Sequence, residues 1–319
     1  MEPSTLQEAI IYFQNPDNCR EYLVARRWPD GVTCPRCGSK AVIHQPKYNR
    51  WQCSAGHDNR QFTLKTGTIF NESPIGLDKW LTAMWQIVNC KNGISSYEVH
   101  RAIGVSQKTA WFMDHRIRFA LGMEEEGKLS GHVEADETFI GGKARNMHTW
   151  KRATKITGTG GKDKTMVMGI LERGGKVRTK VVENRKKKAL QAEVREHVEA
   201  GSALYTDALK SYDGLDEFQH QVVDHAVEYV RGNVHTNGME NFWSLLKRGL
   251  NGTYVSVEPF HLFRYLDEQM FRYNNRKDAD GEVLKDADRF DLAVRQIVGK
   301  RLTWDRLTGK ETVLGTCAN

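Results

Sequence analysis

Three carboxylates far apart in the chain are the residues best suited to chemistry. Asp136 lies inside the alternating run HVEADETFI, Asp207 ends ALYTD, and Glu240 lies in HTNGMENFWSLLKRG, with 70 residues between the first two and 32 between the last two. Carboxylates are the ligands a hard ion such as Mg2+ takes, because it prefers oxygen and keeps water in its coordination sphere. Three of them, one in a strand, one at the end of its neighbour and one on a helix, are enough to hold two ions about 4 Å apart, the arrangement that serves in-line phosphoryl transfer. Each acid also has an ordinary reading. Glu134 and Glu137 flank Asp136 and compete for its role, and Asp207 is also simply a strand end. With Asn237 as N-cap, Asn-Gly-Met-Glu places Glu240 where a capping box needs it. Lys247, seven residues after Glu240 with Ser244 between, returns to the same helix face and suits a DNA phosphate; a solvated Glu/Lys face is the alternative.

A second set is metal-binding by spacing. CPRCGSK followed by WQCSAGHDNRQF gives C-x2-C-x15-C-x3-H through Cys34, Cys37, Cys53 and His57. Three thiolates and an imidazole fill the four corners of tetrahedral zinc, so the site is structural, with no position left for a reacting group.

These residues must be positioned by elements whose periods are legible. LQEAIIYF and CREYLVARRW have helical spacing within residues 1 to 30, and the turn signal PDG precedes the cysteine-rich segment, 31 to 66. Between 73 and 127, LDKWLTAMWQIVNC, SSYEVHRAIG and KTAWFMDHRIRFALG predict helices. From Gly131 the period shortens to that of strands: HVEADETFIGG, KTMVMGILERGG and KVRTKVVEN, then an amphipathic helix, KKKALQAEVREHVEAG, then strands in ALYTDALKSY and HQVVDHAV, then the helix of Glu240. That order predicts an α/β domain around a mixed sheet over 131 to 256. The remainder, 257 to 319, reads as a helical extension.

Within the helical stretch, SSYEVHRAIGVSQKTAWFMDHRIRFAL places a short helix, a Gly-Val-Ser turn and a second helix that starts with Gln107, Lys108 and Thr109. Polar residues at the front of a second helix are what major-groove reading uses, although ordinary helical pairs share the pattern. The net charge is +7, and seven Lys or Arg against Asp163 alone place +6 of charge between Lys143 and Lys164. Lys151, Arg152 and Lys155 in that stretch are expected phosphate contacts, so neutralising them should lower the salt dependence of DNA binding. Mean hydropathy is −0.60, no run approaches the ~18 apolar residues of a membrane span, and MEPSTLQEAIIYF has no secretory-signal pattern. A soluble cytoplasmic protein with a polyanionic partner and no membrane association is expected.

The linked set CPRCGS, FTLKTGTIF, the helix pair ending in KTAW, EADETFIGGK, YTDALKSY, HTNGMENFWSLLKRG and FRYNNRK resembles the bacterial insertion-sequence transposases that carry an N-terminal zinc ribbon and an ISXO2-like catalytic domain. The resemblance runs from about residue 15 to residue 276. It implies an RNase H-like DDE fold, with Asp136, Asp207 and Glu240 binding two Mg2+ or Mn2+ ions and Lys247 and Arg248 meeting DNA. It further implies binding of the element's terminal inverted repeats, hydrolysis at the ends, and attack of the freed 3′-hydroxyl on target DNA by a protein at least dimeric on DNA. His57 departs from the second C-x2-C pair usual in such ribbons. A non-catalytic repressor keeping the ribbon and helix pair, and a nuclease without joining activity, are the competing readings.

Overall fold

A computed structural model describes residues 2–122, 127–141, 148–150, 164–223 and 235–310, and the chain divides into two compact units. Lys151, Arg152, Lys155 and most of the basic stretch lie outside the described residues. One unit comprises Met1–Gly122 together with Asp278–Asn319, and the other Met123–Lys277.

In the first unit, α1 (Leu6–Phe13) opens with a Thr5/Glu8 capping box and α2 (Pro16–Arg27) with an Asn15 cap followed by proline. These are sequence-local start signals that satisfy the orphan amides of a first turn. Strands β1 (Val42–Gln45), β2 (Arg50–Cys53) and β3 (Gln61–Phe62) form an antiparallel sheet in that order. Helix α3 (Leu77–Asn89) buries Trp80, Leu81, Met84, Trp85 and Val88. Phe13, Tyr22 and Trp85 all meet Phe290 of α9 (Asp286–Arg295), their ring centroids 4.9 to 5.8 Å away. Helices α4 (Ser96–Ile103) and α5 (Gln107–Leu121) are joined by Gly104–Val105–Ser106, with Ser95 and Ser106 as N-caps. The short α10 (Trp304–Leu307) sets the Trp304 ring against Trp111 and Phe112 of α5.

The second unit is built on β4 (His132–Ile140), β5 (Thr165–Glu172), β6 (Val177–Val182), β7 (Ala203–Asp207) and β8 (Gln219–Val223), in the order β6-β5-β4-β7-β8. β4, β5 and β6 run antiparallel, whereas β7 and β8 are parallel to β4. Both faces are covered, which is why β5 is apolar almost throughout rather than alternating. On one face, Leu190 and Val194 of α6 (Lys187–His197) join Val133, Ala135, Met168 and Leu204 in a core. On the other, α7 (Asn237–Arg248) and α8 (Leu262–Asn274) pack Met239, Phe242, Trp243 and Leu266 against Val167 and Leu171. Among the described residues, no helix is long and apolar enough to cross a membrane.

Candidate active site and zinc centre

The register of the sheet brings two of the acids together. β4 and β7 pair as His132↔Ala203, Val133↔Leu204 and Glu134↔Tyr205. Continued by two residues, that offset sets Asp136 level with Asp207 on neighbouring strands, whose spacing is about 4.8 Å. The β4–β7 pairing stops before that level, so the two acids stand where these parallel strands part, Asp207 at the end of β7 and Asp136 in the middle of β4, which runs on to Ile140 beside β5. Asp207 Oδ1 accepts the Leu209 amide at 3.2 Å.

Helix α7 supplies the third acid. Its Trp243 indole donates to Asp136 Oδ2 at 3.0 Å, while Oδ1 accepts the Glu137 amide at 2.8 Å. Trp243 can come this close because Gly169, paired with Asp136 on β5, has no side chain: a Cβ there would lie 2.7 Å from Trp243 Cζ2 and closer still to the Met239 methyl. Glu240 lies one turn before Trp243 and is exposed. Burial pushes the Asp136 carboxyl up to about 6, with the charges of Asp207 and Glu240 adding to the rise and the Glu137 amide and Trp243 opposing it. The charges of Asp207 and Glu240 therefore both reach Asp136. The three acids are not a set whose ligand atoms all fall within 4.8 Å, as carboxylates spread over two ions need not be.

The structure also separates Asp136 from its neighbours on β4. Glu134, 1% exposed, pairs with Arg173 Nε at 2.7 Å and accepts the Met239 amide at 2.9 Å, so it caps the start of α7 from another element. Arg173 in turn donates to the His235 carbonyl at 2.6 Å and lies over the Tyr205 ring. Gly238 is small for the same reason, since a Cβ would stand 2.8 Å from Glu134 Oε2. Glu137 is held by the Tyr212 hydroxyl and, at 3.5 Å, by Arg185. Burial raises its carboxyl to about 7; the Tyr212 hydrogen bond opposes the rise and Asp207 and Asp136 add to it.

The capping-box reading of Glu240 is not what the backbone adopts. Thr236 is the N-cap, with no side-chain capping bond, so Asn237 begins the helix and Glu240 is its fourth residue, its amide donating to the Thr236 carbonyl at 3.0 Å. The long-range carboxylate of Glu134 takes over the capping, a role local sequence cannot announce. Replacing it is accordingly expensive: Glu134→Ala should lower the urea-unfolding free energy by about 3 kcal/mol, the usual cost of breaking a buried ion pair from one side. A change within experimental error would remove Glu134 from that role. Ser244 and Lys247 are exposed along with Glu240, so the three share the solvent side of α7, and Arg248 is exposed beside them.

In the first unit, Cys34, Cys37, Cys53 and His57 place their ligand atoms within 4.8 Å of one another. Cys37 and Cys53 sulfurs are 3.6 Å apart, and Cys34 Sγ is 3.5 Å from His57 Nε2. Thiolates about 2.3 Å and imidazole about 2.0 Å from a tetrahedral zinc would stand about 3.5 to 3.8 Å apart, so the donor set fits. His57 Nδ1 lies 2.7 Å from the Asp58 carbonyl, and donation to that oxygen leaves Nε2 for the metal.

Of the residues expected to read DNA on the helix pair, Gln107 donates to Ser96 Oγ at 2.9 Å and the Thr109 amide donates to Oγ of the N-cap Ser106 at 3.1 Å. Lys108 is exposed, its ammonium 4.6 Å above the Trp304 ring.

Comparisons with known proteins agree with this architecture. A family model described as an ISXO2-like transposase domain matches residues 128–274, and one described as a transposase zinc-ribbon domain matches residues 14–59. The chain is 32% identical over 291 residues, 86% of its own length and 97% of the relative's, to an uncharacterized protein in the transposable element ISH50 of Halobacterium salinarum. An uncharacterized transposase-like protein of Haemophilus influenzae is 37% identical over 102 residues, 31% of this chain and 82% of that one. The chain belongs to the insertion-sequence transposase family that joins a zinc ribbon to an ISXO2-like DDE transposase domain.

Proposed function

We propose that the protein binds the terminal repeats of its own element, hydrolyses phosphodiester bonds at the ends and joins the freed 3′-hydroxyl to target DNA. The observation that carries this reading is the setting of Asp136 level with Asp207, with the Glu240 helix fastened to Asp136 through Trp243. An RNase H-like fold is supported by the strand order, three antiparallel strands followed by two parallel to the first. Asp136, Asp207 and Glu240 would hold two Mg2+ or Mn2+ ions, since Asp136 is buried with the charges of Asp207 and Glu240 acting on it, and a hard divalent partner offsets that crowding. When bound, such ions activate an attacking oxygen and stabilise a leaving one.

The chain's own residues do the positioning. The Trp243 and Glu137 donors fix which way the Asp136 oxygens face, and the Leu209 amide does the same for Asp207. Glu134 and Arg173 set the start of α7 and hence the height of Glu240 above the sheet. Lys247, on the same side of α7, holds a DNA phosphate beside the acids. Replacing it with alanine should lower strand-transfer kcat/KM about tenfold while leaving the Mg2+-induced rise in Tm intact; unchanged transfer would refute the role.

The reading is tested by a strand-transfer assay with purified protein, Mg2+ and labelled DNA carrying the flanking repeats, run beside Glu240→Gln. Joined products that vanish in the variant are expected. End binding with no cleavage by either protein would favour a repressor, and cleavage without joining a nuclease.

A further inference from the structure

The sheet of the zinc ribbon has two unlike faces, because residues paired directly across strands share a side. Cys53 faces the metal cluster on one side, where buried Trp51 lies under the His44 ring and beside Phe62. The other side carries Ile43, Gln52 and Gln61 in one row across three strands, and Gln45 opposite Arg50. No core covers that side: Ile43 is 61% exposed and Gln61 is exposed.

Its polar groups are aligned with one another. Gln45 Nε2 donates to Gln52 Oε1 at 2.8 Å, and Arg50 Nε donates to Gln45 Oε1 at 2.7 Å. At the hairpin tip the Tyr48 ring, 59% exposed, has the Arg50 guanidinium 4.6 Å and the Lys47 ammonium 5.7 Å from its centre. Charge points the same way. Residues 31 to 66 hold six Lys or Arg and a single acid, Asp58. Among the described residues neither Lys47 nor Arg50 forms an ion pair: Arg50 meets Gln45 and the Tyr48 ring, and Lys47 the same ring.

We propose that this face is a DNA-reading surface, with the β1–β2 hairpin lying in the major groove of the element's terminal repeats. The inference rests on the reading above that the chain binds those repeats. A two-stranded ribbon fits a groove about 12 Å wide, and glutamine and arginine are the side chains that match adenine N6/N7 and guanine O6/N7. Gln52 and Arg50 face base edges; Lys47 and the Tyr48 hydroxyl meet phosphates on the groove wall. The mutual hydrogen bonds of Gln45, Gln52 and Arg50 hold the readers in place before DNA arrives, which lowers the entropy cost of binding.

The test uses the full-length, zinc-loaded protein, fluorescence anisotropy over a salt series, and two duplexes: the terminal repeat and a scrambled repeat of equal length. Arg50→Ala and Gln52→Ala should each reduce the preference for the repeat about tenfold. Gln52→Glu keeps the acceptor for Gln45 and adds a charge, so it should weaken repeat binding more than Gln52→Ala. Lys47→Ala should weaken both duplexes alike and lower the salt slope by about one. An unchanged preference in Arg50→Ala and Gln52→Glu, with wild type still cleaving the repeat, overturns this surface and leaves the transposase reading standing. Wild type that neither prefers nor cleaves the repeat overturns both.

Discussion

In the Asp136→Asn protein, cleavage of labelled terminal-repeat DNA falls by about 10³-fold or more, a barrier increase of about 4 kcal/mol, while end binding is unchanged. The substitution keeps one oxygen to accept the Trp243 indole and gives up only the local bond from the Glu137 amide, so α7 stays on the sheet and the loss reports chiefly the carboxylate charge. Stability separates this from misfolding. The Asp136 carboxyl is raised to about 6, chiefly by burial, against an ordinary value near 3.9. Its contribution to stability is therefore fully present below about pH 4 and is lost as pH rises through about 6. Without divalent ions, Asp136→Asn should melt at or above the wild-type Tm, by a margin larger at pH 8 than at pH 5. Added Mg2+ should raise the Tm of wild type only. A variant that cleaves normally removes Asp136 from the site, and one that melts well below wild type at pH 8 makes its role structural.

Stripping zinc has the second large effect, and it falls on the other unit. The ribbon sheet has only ten strand residues, and its buried apolar side chains are chiefly Trp51, Phe62 and the adjoining Trp28. A module of that size cannot offset its own chain entropy without a staple. Structural zinc in such modules contributes on the order of 10 kcal/mol to folding, more than this core supplies. A strong chelator, or Cys53→Ser, should expose the amides of Gln52 and of the residue at position 53 to solvent exchange at nearly the unfolded rate. The helical core around Phe13, Trp85 and Phe290 should stay protected. Slow exchange at Gln52 after complete zinc loss would show that the fold holds itself, and the ligand set would lose its structural meaning.

Why the two sites differ in legibility follows from how their parts are joined. The zinc ligands come as two tight knuckles within 24 residues, so type and spacing alone led to Cys34, Cys37, Cys53 and His57, and the structure brings those four side chains together. The candidate active site is assembled from β4, β7 and α7. Sequence period indicated two strands and a helix, each carrying an acid, and that much agrees with the observed elements. Glu134, Asp136 and Glu137 stayed equivalent at that level, because a strand's neighbours differ only in what lies above and below the sheet.

Period, spacing and residue type, which are local, were enough to indicate the mixed α/β class and the zinc ligands, and to offer Asp136, Asp207 and Glu240 as candidates with Glu134 and Glu137 still open. Tertiary structure alone decided that Glu134 caps α7, that Glu137 turns to Tyr212, and that Asp136 meets Trp243 and lies level with Asp207. Those partners lie 71 to 107 residues away along the chain. Packing against Gly169 and Gly238 sets their approach, and contacts closed over such distances leave no period in the sequence to read.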